Sequence, residues 1–132
     1  MNTRCKILVV DDLPDWRKTL TGLLVEEGYE AQAAGSVAEA VKLLEANHFD
    51  LALLDVRLDE SDENNIEGLD LAAKIKDRWP NVKTIIITGY GTPNTVQRAM
   101  EPDKHGKRLV QDFIEKTQTD TLSQVVKRVL AQ

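Results

Sequence analysis

Three short segments of this chain are apolar without interruption, and they constrain its fold more than any other feature. They are residues 7–10, 51–54 and 85–87, which read ILVV, LALL and III. A strand with one face in water alternates apolar and polar residues, whereas a strand of a parallel sheet is covered on both faces and does not alternate. The three segments therefore predict buried strands of a parallel sheet.

Helix signals stand between these strands and repeat along the chain. Pro14 suits the first position of a helix that Gly28 ends. Ser36 and Glu39 form a capping box that opens a second helix. The remaining predicted elements are a weak strand at 29–33, a last strand at 109–115, helices at 67–79, 93–101 and 122–130, and a charged loop at 102–108. Because strand and helix alternate five times, we expect one α/β domain over residues 1–132.

Composition narrows the class of protein. Apolar residues make up 42% of the chain and charged residues 30%, which is typical of a soluble globular domain. No apolar run approaches the roughly 20 residues of a membrane helix, and no signal peptide is visible, so we expect no membrane partner. The single cysteine, Cys5, excludes an internal disulfide and fits the reducing cytoplasm. The net charge of −5 argues against nucleic-acid binding.

Polar side chains follow each strong strand at the point where it ends. Asp11 and Asp12 follow the first strand, Asp55 the third, Thr88 the fourth and Lys116 the fifth. Because the carboxyl ends of parallel strands meet at one edge of a sheet, we expect these five side chains to lie together.

The chemistry of this set points to phosphoryl transfer. Carboxylates suit Mg²⁺, which usually takes one or two of them together with water and phosphate oxygens. A hydroxyl and an ammonium group suit the negative charge of a phosphoryl group, and an aspartate can itself form an aspartyl phosphate. Asp55 is the candidate nucleophile. Each residue alone has a simpler interpretation, as a turn, a cap or a solvated surface group. The set as a whole favours a functional site.

At these residues the sequence resembles the receiver domains of two-component response regulators. The matching motifs are VVDDLPDW, LALLDVRL, IIITG and DFIEK, and the resemblance covers nearly the whole chain. It implies a flavodoxin-like fold: a five-stranded parallel sheet in the order 2-1-3-4-5 with helices on both faces. It also implies a signalling switch rather than a turnover enzyme.

The resemblance assigns a role to each site residue. Asp55 would accept a phosphoryl group from the phosphohistidine of a histidine kinase or a phosphotransfer protein. Asp12 would bind Mg²⁺ directly, Asp11 mainly through water, and the backbone carbonyl of Arg57 would complete the metal site together with Asp55. Lys116 would contact the phosphoryl group.

The resemblance further implies a switch that reports the phosphorylated state. Thr88 would move onto the phosphoryl oxygen, and Phe113 would turn inward behind it. The helix at 93–101, the last strand and the last helix would then signal to an output partner or a fused output domain. Formation of a homodimer on phosphorylation is a further alternative that stays open.

The sequence departs from the family in three places. Thr117 follows Lys116 where a proline after a cis peptide bond is usual, so this bond is either trans with a reshaped loop or strained, since a cis bond to a residue other than proline costs about 2.5–4 kcal/mol. The loop at 59–65 is long and acidic, which we interpret as solvated; the alternative is competition for Mg²⁺. Residues 101–108 are also longer than usual.

Two other functional classes compete with the switch. A receiver fold that docks to a partner with little or no phosphorylation is the main alternative, and the altered lysine turn favours it. A phosphohydrolase of the haloacid-dehalogenase type needs a second aspartate two residues after the nucleophile, where this chain has Arg57. A dinucleotide-binding domain needs a glycine-rich turn after the first strand, and none is present.

Overall fold

Five parallel strands form one sheet at the centre of the molecule. The computed structural model describes residues 4–58, 65–89, 97 and 99–132. The strands are β1 (Lys6–Val10), β2 (Glu30–Ala34), β3 (Leu51–Asp55), β4 (Lys83–Thr88) and β5 (Asp112–Glu115). The helices are α1 (Pro14–Glu26), α2 (Val37–Ala46), α3 (Glu67–Arg78) and α4 (Leu122–Leu130), with a 3₁₀ helix at Lys116–Thr121 before α4.

The order of the strands is β2-β1-β3-β4-β5, and every neighbouring pair is parallel. Val10 is level with Ala34 on one side and with Leu54 on the other, and Asp55 is level with Ile87. The predicted fold class and strand order are confirmed. The predicted convergence of strand ends follows from this register, because β1, β3 and β4 finish within two residues of each other across the sheet.

Among the described elements, α1 and α4 cover one face of the sheet and α2 and α3 cover the other. Leu53, Ile85 and Ile87 pack with α1 and α4, whereas Leu54 and Ile86 pack with α2 and α3. Every residue of β3 is buried, and this is why its sequence shows no polar alternation. Among the residues that the structure describes, no helix has the length and apolarity required to cross a bilayer.

Local signals in the sequence explain where the helices begin and end. Ser36 accepts a hydrogen bond from the backbone N–H of Glu39 at 3.2 Å, and the carboxylate of Glu39 accepts one from the N–H of Gly35 at 2.9 Å. Gly28 follows α1 with φ of +93°, a left-handed conformation that glycine adopts without a steric penalty. The predicted capping box and helix stop are confirmed.

Two predicted elements differ from the structure. The last strand begins at Asp112 rather than at residue 109, because the N–H groups of Leu109 and Val110 both bond to the carbonyl of Ala99 instead of a strand. Residues 90–96 and 98 lie outside the described residues, and they include much of the helix predicted at 93–101. Residues 97, 99 and 100 of that predicted helix are helical.

The central strands should dominate stability. Leu53 is fully buried between β1 and β4, so Leu53→Ala should lower the free energy of unfolding by about 2–5 kcal/mol through lost contacts and the cavity left behind. Val25 is 55% exposed, and Val25→Ala should change it by less than about 0.5 kcal/mol. Urea denaturation measures both. Equal effects of the two substitutions would contradict this arrangement of the core.

Candidate functional site

Three charged side chains meet where the strands end. Asp11 directly follows β1, Asp55 is the last residue of β3, and Lys116 directly follows β5. Each lies two residues beyond a side chain that packs on the α1 and α4 face: Asp11 after Val9, Asp55 after Leu53 and Lys116 after Ile114. Successive residues of a strand point to opposite faces. Strand geometry therefore sends all three side chains to the same side of the sheet.

Lys116 is the buried cation at the centre of this group. Its Nζ lies 2.9 Å from Asp11 Oδ2 and 3.3 Å from Asp55 Oδ2. Asp11 is fully buried, and Asp55 and Lys116 are 2% and 9% exposed. Burial lowers the pKa of Lys116, but the hydrogen bonds and charges of Asp11 and Asp55 together outweigh it, so the pKa is raised above its ordinary value of 10.5. The lysine is therefore charged at neutral pH.

Trp16 covers the same ammonium group from α1. The Nζ of Lys116 lies 5.0 Å from the centroid of the indole ring, which is within the range of a cation–π interaction. The ammonium is thus held between two carboxylates and an aromatic face. The sequence alone gives only its spacing, four residues after Asp12.

The backbone around Asp11 is fixed by two further contacts. The N–H of Leu13 donates to Asp11 Oδ1 at 2.9 Å, and the Arg17 guanidinium donates to the Asp11 carbonyl at 2.8 Å. One oxygen of Asp11 is therefore engaged with the start of α1, and the other is directed at Lys116. Sequence reasoning missed Arg17; its only signal was a cation five residues after the paired aspartates.

Asp11, Asp12 and Asp55 form a group suited to a divalent cation. Each offers a carboxylate oxygen, and these oxygens lie within 4.8 Å of one another. Mg²⁺ takes oxygen ligands and usually keeps several waters, so this donor set fits it. The role of the Arg57 carbonyl stays a prediction. Within the described residues, no other group of three or more acidic, histidine or cysteine side chains is close enough to hold a metal ion.

Thr88 and Phe113 lie on the opposite face of the sheet from Lys116. Thr88 is the buried last residue of β4, and Phe113 is level with Ile86 two residues before it. Phe113 packs against the side-chain cluster under α2 and α3. The two residues predicted to act as a switch thus share one face of neighbouring strands, and their roles remain predictions.

The turn that carries Lys116 differs from the family pattern as the sequence indicated. No cis peptide bond occurs in the described part of the chain, so Lys116–Thr117 is trans. A 3₁₀ helix follows directly from Lys116, with Gln118 outside helical geometry. Of the two alternatives, the trans bond with a reshaped loop is the one observed. The acidic residues 59–64 lie outside the described residues; Asn65 Oδ1 accepts from the N–H groups of Leu58 and Glu67.

Gly68 allows α3 to contact the backbone at Asp55. Its N–H donates to the carbonyl of Val56 at 2.9 Å. A Cβ at this position would lie 1.8 Å from the carbonyl oxygen of Asp55 and 2.8 Å from the Cα of Val56. Only glycine fits such an approach. Sequence reasoning missed this residue, since a glycine in the first turn of a helix has no distinctive pattern.

Comparison with protein families identifies relatives over nearly the whole chain. A family model described as the response regulator receiver domain matches residues 7–127. The chain is 35% identical over 125 residues to the nitrogen assimilation regulatory protein NtrX of Azorhizobium caulinodans. The aligned segment makes up 94% of this chain and 26% of NtrX. It is 37% identical over 99 residues to the response regulator protein PilR of Pseudomonas aeruginosa, covering 75% of this chain and 21% of PilR. The chain thus spans about a quarter or less of these relatives.

Solved structures agree with the fold. The receiver domain of NtrX from Brucella abortus matches with a TM-score of 0.79 and 32% identity, covering 96% of this chain and 98% of that one. The response regulator protein TrrA from Thermotoga maritima, solved in complex with Mg(2+)-BeF, matches with a TM-score of 0.77 and 29% identity, covering 95% and 98%.

Gly68→Ala should destabilise the protein and disturb Asp55. The added methyl group overlaps the Asp55 carbonyl, and overpacking of this kind costs about 1–3 kcal/mol or more. Gly22 lies within α1 with no atom near its Cβ position, so Gly22→Ala should be neutral or stabilise by up to about 1 kcal/mol. Urea unfolding of both variants measures the contrast. A Gly68→Ala protein as stable as Gly22→Ala would refute the close approach.

The ion pairs of Lys116 should give stability that depends on pH. Because the folded-state pKa lies above 10.5, this stability is complete below the unfolded value and is lost as the pH rises through the folded value. Lys116→Met leaves Asp11 and Asp55 uncompensated and should cost about 3–5 kcal/mol near neutral pH. The difference between the two proteins in free energy of unfolding should stay constant up to about pH 10 and shrink as the pH rises above 10.5. A difference independent of pH would show that lost packing, not charge, accounts for the effect.

Proposed function

This chain belongs to the response regulator receiver domain family, and on that premise we propose that it is a phosphoacceptor switch in which Asp55 receives a phosphoryl group from the phosphohistidine of a histidine kinase or phosphotransfer protein. The observation that supports this most is the buried group of Asp55, Asp11 and Lys116 at the carboxyl ends of the strands. Asp55 sits at the end of a rigid, fully buried strand, so its position is fixed before a donor arrives.

In the proposed reaction a phosphoryl group moves from an imidazole nitrogen of the donor to a carboxylate oxygen of Asp55. A carboxylate oxygen of Asp55 attacks the phosphorus, the P–N bond of the donor breaks, and its electron pair stays on the imidazole nitrogen, which takes up a proton. The product is an acyl phosphate on Asp55. Asp11, Asp12, Asp55 and the carbonyl of Arg57 would hold Mg²⁺, which when bound offsets negative charge between the carboxylates and the phosphoryl oxygens.

Lys116 and Thr88 supply the remaining groups. The ammonium of Lys116 already contacts Asp55 Oδ2, so a phosphoryl group attached to Asp55 falls within its reach. A cation that is fixed before the reaction stabilises developing charge without having to reorganise. Thr88 would bond a phosphoryl oxygen, and Phe113 would respond on the shared face of β4 and β5. This is the step that would convert phosphorylation into a changed surface.

The task of such a domain is to change partners rather than to turn over substrate. We propose a cytoplasmic kinase as the donor and an output partner or fused output domain as the receiver of the signal. The whole proteins NtrX and PilR are about four times as long as this chain or longer, so the identity of the output belongs to this proposal.

A protein-binding module with little phosphorylation is the second candidate. The observation in its favour is the 3₁₀ turn at Lys116–Thr121, with a trans bond before Thr117. This turn nevertheless delivers the ammonium of Lys116 to within 3.3 Å of Asp55. The changed turn therefore keeps the contact that the switch needs, and we prefer the phosphoacceptor.

Intact mass after incubation with acetyl phosphate and Mg²⁺ tests the proposal. We expect one added phosphoryl group in the native protein and none in Asp55→Asn, because that substitution removes the nucleophilic carboxylate and keeps a similar shape. Chelation of Mg²⁺ should abolish the addition. The same samples should show a change of Trp16 fluorescence on addition of Mg²⁺, since its ring covers the ammonium beside the carboxylates.

Two outcomes would contradict the switch. Phosphoryl addition retained in Asp55→Asn would place the acceptor elsewhere. No addition from acetyl phosphate or from a phosphorylated histidine kinase, together with Trp16 fluorescence and thermal stability unaffected by Mg²⁺, would leave the binding module as the better interpretation.

A further inference from the structure

An ordered basic turn lies at the other end of the sheet from Asp55. We use this name for residues 103–108, which precede β5. The N–H of Asp103 donates to the carbonyl of Lys107 at 2.8 Å, and the N–H of Gly106 donates to the carbonyl of Asp103 at 2.9 Å. Asp103 Oδ1 accepts from the N–H groups of His105 and Lys107 at 2.8 and 3.0 Å. Gly106 has φ of +75°, a conformation that favours glycine.

Asp103 keeps this turn in place. Hydrogen bonds from the backbone of Lys107 and His105, followed by the Lys76 side chain, lower the pKa of Asp103 to about 2. Its Oδ2 lies 3.1 Å from the Nζ of Lys76 on α3. The carboxylate is thus used inside the turn and in a contact with α3, and it stays charged at neutral pH.

The segment after the turn is bonded to the sheet. The N–H of Gln111 donates to the carbonyl of Thr84 at 2.8 Å, and Gln111 Oε1 accepts from the N–H of Thr84 at 2.6 Å. Val110 is fully buried. With its oxygen engaged, the Gln111 side chain has its NH₂ group available as a donor. The turn is therefore a fixed feature of the surface.

Within the part of the chain that the structure describes, the cations of the turn have no acidic partner of their own. Lys104, Lys107 and Arg108 are exposed, and within the described residues none of them forms an ion pair. Lys76 adds a further positive charge beside them. The chain as a whole has a net charge of −5, so this concentration of positive charge contrasts with the rest of the molecule.

Two clefts adjoin the turn and share Lys76 and Lys107. A polar cleft of about 540 Å³ is also lined by Arg108 and Gln111. The second, of about 370 Å³, has Leu69, Ala99 and Leu109 in its wall and is also lined by Glu101 and Asp103. A ligand seated across both would meet cations and an amide donor on one side and apolar side chains on the other.

We propose that this surface docks an acidic polypeptide segment that carries a large apolar side chain. Its carboxylates would face Lys76, Lys107 and Arg108, and its apolar side chain would enter the cleft beside Leu69 and Leu109. Apolar burial supplies affinity in such contacts, whereas complementary charge supplies specificity and a faster association rate. The preformed turn reduces the conformational entropy lost on binding.

The charge pattern favours a polypeptide over a nucleic acid. A nucleic-acid surface spreads many cations over successive phosphates, but here Glu101 and Asp103 lie among the cations. The net negative charge of the chain would also repel a polyanion at longer range. A free phosphate ion would gain no favourable contact from the apolar wall of the second cleft. A short acidic segment with an apolar anchor matches both clefts.

Fluorescence anisotropy with a labelled peptide tests this proposal. The probe is a short peptide of glutamate interspersed with leucine, compared with one in which glutamine replaces glutamate and one in which serine replaces leucine. We expect saturable binding of the first peptide only. Lys107→Glu combined with Arg108→Glu should weaken it by about tenfold or more. The turn survives these changes, because Lys107 contributes to it through backbone atoms.

A variant matched in charge separates a local site from net charge. Lys18→Glu combined with Lys42→Glu changes two exposed helical cations elsewhere and should alter binding by less than about twofold. Equal weakening in both variants, or no saturable binding to the native protein, would overturn the proposal. So would complete competition by inorganic phosphate, or tighter binding of a DNA duplex that the Lys107 and Arg108 changes abolish.

The docking surface does not rest on the proposed phosphoryl transfer. Asp55→Asn should bind the peptide as the native protein does, since β4 alone places roughly 16 Å between the two edges of the sheet. Chemical shifts of the Gly106 and Gln111 amides should move on titration with the peptide. Shifts confined to residues near Asp55 would place the peptide elsewhere and refute the proposed surface.

Discussion

The contact of the Lys116 ammonium with Asp11 and Asp55 is the interaction on which the functional end of the molecule depends. Two carboxylates in a buried position repel each other and lose their hydration, and a cation between them offsets both effects. Lys116 follows β5, which is two strands from β3, so the side chains of Lys116 and Asp55 together bridge roughly 10 Å of sheet. Few side chains other than lysine and arginine are long enough for this. The Trp16 ring then restricts where the ammonium can lie.

The same pocket contains the ammonium group of Lys116 and three carboxylates that could hold a metal ion. Lys116 neutralises part of the charge of the carboxylates, and Asp11, Asp12 and Asp55 still present oxygens close enough for a divalent ion. The close approach of α3 at Gly68 adds rigidity on the other side of Asp55. Asp55, the proposed nucleophile, is therefore positioned from β1, α3 and β5 together. A site held from several elements is more precise than one carried by a single loop.

The sequence was sufficient to predict those elements that depend on the pattern of apolar residues. Uninterrupted apolar segments follow from burial on both faces, so β1, β3 and β4 were predicted within a residue or two. The gathering of Asp11, Asp55 and Lys116 followed from parallel strands. The order of the strands came from resemblance to a family, because periodicity says nothing about which strands are neighbours.

What the sequence could not provide were contacts between distant segments. The position of Trp16 over Lys116 depends on the tilt of α1, and the need for glycine at residue 68 depends on the distance between a helix and a strand. The start of β5 was wrong by three residues because Leu109 and Val110 are apolar and buried without belonging to the sheet. Burial alone does not distinguish a strand from a buried turn.

Charged side chains collect at both edges of the sheet, and the fold explains why both can be specialised. The carboxyl ends of the strands concentrate carboxylates, whereas Lys76, Lys107 and Arg108 lie where β4 and β5 begin. Thr84 and Thr88 point to the same face of β4, and Thr84 bonds to the segment after the basic turn. Such continuity couples two sites only if an element between them has two arrangements. The structure shows a single arrangement of β4, and none of its contacts requires the proposed chemistry at Asp55 and the proposed recognition at the basic turn to vary together.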